Sequence, residues 1–67
     1  MKNLLKVERA RNNLSPADLA DLVKVSRQTI HAIETYKFIP SALLAFKLAR
    51  VLKIDINGLF ELEEKDW

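Results

Sequence analysis

The chain has 67 residues, no cysteine and one histidine, so disulfides and thiolate metal sites are excluded and a lone imidazole cannot hold a metal. One domain spans residues 1–67; a chain this short buries only ~60% of the surface its unfolded form exposes, which leaves self-association as the reinforcement of a small core. The net charge of +2 is unevenly placed, with ten Lys/Arg against five Asp/Glu in residues 1–60 and net −3 over residues 61–67, a pattern compatible with a polyanion partner and equally with an ordinary solvated surface.

No apolar run approaches the ~18 residues of a membrane span. Met1-Lys2-Asn3-Leu4-Leu5 is followed by neither an apolar stretch nor a cleavage site, so no signal peptide is expected. These features predict a cytoplasmic protein without membrane insertion.

The first predicted helix covers residues 3–12, with Leu4, Val7, Ala10 and Leu14 on one side at helical spacing. Asn12-Asn13 is its stop, because Asn tolerates the left-handed conformation that ends helices. Ser15-Pro16-Ala17-Asp18 is a helix start: Ser15 caps, Pro16 suits the first helical position, and Asp18 closes a capping box. The second helix then runs to Val23 and buries Leu19, Leu22 and Val23.

Lys24-Val25 is a break, and Ser26 caps the third helix, Arg27–Thr35. Ile30 and Ile33 share its inward side, and the opposite side collects Arg27, Gln28, His31, Ala32 and Thr35. Pro40 forbids helix just before it, so residues 36–40 form a loop in which Tyr36 and Phe38 are expected to pack, with stacking on bases the alternative. Ser41 caps a fourth helix, Ala42–Leu52, with Leu44, Ala45, Leu48 and Leu52 inward. Leu43 and Phe46 are either extra core or a partner surface. Asp55 caps a fifth helix, Ile56–Phe60. Leu59, Phe60 and Leu62 are read mostly as core, with the C-terminal helix and tail also the expected dimer seam, and residues 62–67 can extend as a strand against residues 1–4. Trp67 is either a loose end or an interface anchor.

Two short helices joined by a tight turn suggest that the second helix crosses a DNA backbone while the third lies in the major groove. The helix starts at Ser15 and Ser26 present N–H groups suited to phosphate. Gln28 can bond adenine bidentately, and Arg27 can bond guanine or grip a phosphate. Thr29 and Ala32 can touch a thymine methyl, His31 can donate or accept, and Lys37 can contact phosphate. In isolation, the same residues would also suit the polar side of any amphipathic helix.

Val25-Ser26-Arg27-Gln28-Thr29-Ile30, then Ala32-Ile33-Glu34 and Lys37, then Pro40-Ser41 with Ala45, Lys47 and Ala49, resembles the Cro/phage-repressor-like (XRE) family, in particular its short stand-alone members such as the cytolysin-operon repressor type. The resemblance covers Leu5–Phe60. It implies an all-α, five-helix lambda-repressor-like DNA-binding domain that acts as a homodimer on an inverted-repeat operator; the C-terminal strand read above would add a short terminal β-ribbon. It also implies that Ser26, Arg27, Gln28, His31 and Ala32 face DNA, that Lys37 contacts backbone, and that Arg9 and Glu34 form a structural ion pair. The sequence departs from the family at Pro16, where relatives carry a phosphate-binding Gln, at Lys24 and Thr35-Tyr36, where Gly and Asn-Gly are common, and at Ile39, where a polar residue is usual.

One His, no Cys and no carboxylate pair placed opposite a nucleophile leave nothing for general acid–base work, and Gly58 is the single glycine, so no phosphate-cradling loop is expected. An enzyme is not expected, nor is a cofactor. The readings are a transcriptional regulator of double-stranded DNA and, alternatively, a protein-interaction module such as an antitoxin or the partner of a membrane protein.

Overall fold

The computed structural model describes residues 1–67. In chain order the elements are β1 (Lys2–Asn3), α1 (Leu5–Arg11), α2 (Pro16–Val23), α3 (Arg27–Glu34), α4 (Ala42–Leu52), α5 (Ile56–Leu59) and β2 (Phe60–Glu61), followed by a 3₁₀ turn at Glu64–Asp66. The helices enclose a single core of Leu5, Leu19, Ala20, Val23, Ile30, Ile33, Leu44, Leu48, Ala49, Leu52 and Leu59.

Helix starts follow the side-chain caps read from the sequence. Ser15, Ser26 and Ser41 accept from the backbone N–H groups of Asp18, Thr29 and Leu44, and Asp55 accepts from Asn57. Helix ends follow one repeated backbone device. Asn13, Lys24, Tyr36 and Lys53 all have φ between 57° and 63°. In each case the next N–H returns to a carbonyl five residues earlier: Leu14 to Arg9, Val25 to Ala20, Lys37 to Ala32 and Ile54 to Ala49. This is the Schellman closure, in which a left-handed residue lets the chain satisfy orphan carbonyls. Only Asn13 is a residue type that visits this region readily; two lysines and a tyrosine accept its strain.

The buried side of α1 differs from the sequence expectation. Leu5 is fully buried and Glu8 nearly so, while Val7 is 51% exposed and Leu4 and Ala10 also face outward. The apolar spacing of Leu4, Val7 and Ala10 indicated the wrong phase because α1 docks through polar residues as well as Leu5. Asn12 Nδ2 donates to the Leu52 carbonyl at 3.3 Å, and Arg9 reaches α3. In α2, Ala20 takes the buried position assigned to Leu22, which is 55% exposed.

Boundaries shift slightly elsewhere. Thr35 ends α3 as its cap, its hydroxyl donating to the His31 carbonyl at 2.9 Å. Phe60 leaves α5 and enters β2. The terminal ribbon is real, but its second strand is Phe60–Glu61, paired antiparallel with Asn3 and Lys2, and not residues 62–67. Beyond it, the Met1 ammonium lies 3.0 Å from both Glu63 and Asp66. Asn3 ties the ribbon inward by donating to the Ile33 carbonyl at 3.0 Å.

Leu43 and Phe46 are 68% and 62% exposed, which removes the extra-core reading. Leu62, Tyr36 and Phe38 are likewise exposed rather than packed, and Trp67 stands free of its own chain.

The phase of α1 is directly testable. Leu5→Ala should cost ~2–5 kcal/mol in urea denaturation, as a fully buried leucine does. Val7→Ala should stay within ~0.5 kcal/mol, as a surface change does.

Candidate nucleic-acid interface

Ile30 and Ile33 are fully buried, and at ~100° per residue this turns the opposite flank of α3 outward. Arg27, Gln28 and His31 are exposed on that flank, while Thr29 and Ala32 are half-buried at its margins. Neither Arg27 nor His31 joins any of the chain's ion pairs. Lys37 is exposed just past the Schellman turn that ends α3.

The two cap serines are less free. Ser26 Oγ accepts from the Thr29 N–H at 3.1 Å and lies 3.0 Å from the Thr29 hydroxyl, which draws Thr29 toward the cap. Ser15 Oγ accepts from the Asp18 N–H, and the Ser15 N–H donates to Asp18 Oδ2, both at 3.0 Å. The Ser15 backbone N–H, and then its hydroxyl, hold the Asp18 carboxyl below the ordinary carboxylate range. That stabilisation is present above the ordinary carboxylate pKa and is lost as pH falls through the depressed value. The start of α2 therefore carries an anion of its own, and Pro16 has no N–H to offer.

The far end of α3 is anchored by an ion pair. Arg9 Nε donates to Glu34 Oε2 at 2.7 Å and Nη2 to Oε1 at 3.3 Å, a two-point pairing. Arg9 Nη1 also donates to the Leu14 carbonyl at 3.0 Å, so one guanidinium joins α1, the following turn and α3. Both side chains are largely shielded, at 13% and 8% exposure.

A cleft between the start of α2 and the outer flank of α3 gathers Pro16, Arg27, Gln28, His31 and Glu34. Ser15, Ser26 and Lys37 lie outside it. In the sequence Pro16 reads as a first helical residue and as a lost phosphate contact, not as a neighbour of Gln28. Its place in this cleft depends on how α2 crosses α3, which no local signal reports. A roomier cleft lies between the terminal ribbon and the loop of Tyr36 and Ile39. Its carboxylates, Glu63 and Asp66, are already engaged by the Met1 ammonium. No helix is long and apolar enough to cross a membrane.

Comparison with known proteins supplies the context. The helix-turn-helix family model matches residues 5–59. An uncharacterized HTH-type transcriptional regulator of Methanocaldococcus jannaschii is 48% identical over 66 residues, covering 98% of this chain and 100% of the relative. A second, YgzD of Bacillus subtilis, is 41% identical over 98% of this chain and 100% of its own length. Among solved structures, the restriction-modification controller protein C.AhdI from Aeromonas hydrophila superposes with a TM-score of 0.77 at 30% identity, covering 84% of this chain and 85% of that one.

The Arg9–Glu34 pair yields a test independent of DNA. Glu34→Leu should destabilise the fold by ~3–5 kcal/mol, because it strands a shielded guanidinium. The double variant Arg9→Met/Glu34→Leu should recover most of that loss in the same urea titration.

Proposed function

The chain belongs to the XRE-type helix-turn-helix family of DNA-binding transcriptional regulators, and on that premise we propose that it is a repressor acting as a homodimer on an inverted-repeat operator. The observation that carries this reading is the outward flank of α3, where Arg27, Gln28 and His31 stand exposed on a helix held rigidly from behind. In a two-fold dimer the two α3 helices face one side of the duplex ~34–36 Å apart, one helical turn, so that each reads one half-site. Gln28 and Arg27 read base edges, with His31 and Ala32 beside them. Lys37 and the helix start at Ser26 meet the backbone, and Thr29 supports the Ser26 cap; the start of α2 at Ser15, its cap groups engaged with Asp18, stays outside that set. Repression follows when the occupied operator overlaps a promoter, a step that rests on family analogy.

Dimerisation draws support from two features. The core of a 67-residue chain is small. Leu43 and Phe46, one turn apart on α4, expose apolar surface that a partner would cover. The same strip favours a second reading, in which the chain binds another protein, as an antitoxin or a membrane-protein partner does. Salt separates the two: affinity for a duplex falls steeply with salt when phosphate contacts form, and a protein complex through an apolar strip does not share that slope.

The division of roles is checked on a duplex that the pure protein enriches from a randomised inverted-repeat pool. Gln28→Ala should weaken the cognate duplex by ~1–3 kcal/mol per half-site and relax preference at one base position. Lys37→Ala should weaken all duplexes alike and lower the salt slope by about one per half-site. Identical behaviour of the two variants, or binding that ignores salt, would overturn the reading.

A further inference from the structure

The geometry points to Pro16 as a reader of the thymine C5-methyl group, a base-specific contact contributed by α2 rather than by α3. The inference rests on the proposed seating of α3 in the major groove and adds to it.

Pro16 is the first residue of α2, half-buried, and its ring stands in the cleft with Arg27, Gln28 and His31. Pro16 is the one residue of that cleft without a polar end; Arg27, Gln28, His31 and Glu34 each carry one. Glu34, the only anion there, is committed to Arg9 through both carboxylate oxygens. With its side chain only 8% exposed, it presents little of that carboxylate to a base amino group.

Nor is the start of α2 suited to a phosphate. The Pro16 nitrogen has no hydrogen. The Ser15 and Asp18 N–H groups are consumed by the capping box, and Asp18 places a carboxylate beside them. Apart from the single N–H of Ala17, what the α2 start offers the duplex is the apolar face of the Pro16 ring.

The duplex has a matching group. In the major groove, thymine differs from cytosine by O4 and by its C5-methyl. That methyl lies at the pyrimidine edge nearest its own sugar-phosphate strand. When α2 crosses the backbone and the first turn of α3 meets base edges, the cleft between them covers that edge. An apolar ring gains from burying a methyl and gains nothing from the hydrogen that replaces it in uracil. One methyl is worth about fourfold in affinity per half-site, roughly fifteenfold for a symmetric pair.

The test uses the intact chain and the duplex it enriches. Thymines are replaced by deoxyuracil one symmetric pair at a time, and Kd is read by fluorescence anisotropy at fixed salt. At one pair, uracil should weaken the natural protein by roughly fifteenfold. Pro16→Ala should bind the thymine and uracil duplexes equally at that pair while keeping its penalties elsewhere, and Pro16→Val, which restores apolar bulk, should regain part of the discrimination. Thermal melts confirm that both variants are folded. If no thymine pair shows a penalty that Pro16→Ala removes, the assignment to Pro16 is wrong while the DNA-binding reading survives. If the pure protein enriches no duplex, that reading fails and the Pro16 contact falls with it.

Discussion

An eight-residue helix cannot hold itself in water, because nucleation is costly and so few residues repay it too little. Helix α3, at Arg27–Glu34, is that short, and its position depends on what grips it from behind and at each end. Ile30 and Ile33 fill the core, Ser26 closes the first turn, and Arg9 takes Glu34 at the last. Asn3 adds a bond from the terminal ribbon to the Ile33 carbonyl. Each restraint lies on the inner side or at an end, so the outer flank is left to carry whatever polar side chains recognition requires.

The guanidinium of Arg9 is central among these restraints. It bonds the carboxylate of α3 and the Leu14 carbonyl together, so α1, the turn after it and α3 share one hub. A shielded pair of this kind adds little net stability over a well-packed apolar substitute, but it is costly to break by halves. Its value is positional: the fork of the guanidinium fits a carboxylate in one orientation, which sets how α3 rotates relative to α1.

The four left-handed helix ends impose a second constraint. Short helices leave a large share of their backbone groups unpaired at the termini. The chain satisfies them by ending α1, α2, α3 and α4 in the same turn at Asn13, Lys24, Tyr36 and Lys53. With the single glycine placed elsewhere, at Gly58, three of these ends accept strained side chains. Two are lysines, whose long stems carry the charge into solvent, and the third is an exposed tyrosine beside Lys37.

Much of this molecule is written locally. Ser15, Ser26, Ser41 and Asp55 mark helix starts because a short side-chain oxygen reaches the N–H two or three residues on, and α4 runs from Ala42 to Leu52 as the spacing indicates. The inward Ile30 and Ile33, and hence the outward flank of α3, also follow from helical period alone. Other features depend on contacts between segments distant in sequence. Leu5 and not Val7 is buried because Arg9 and Asn12 must meet α3 and α4 on the same side of α1. Phe60–Glu61 forms the ribbon strand because β1 arrives beside it. Pro16 enters a cleft with Gln28 only through the crossing of α2 over α3. Caps and periods act over a few residues and can be read from them; the rotation of one helix against another is settled by side chains far apart in sequence, and only the folded chain brings those together.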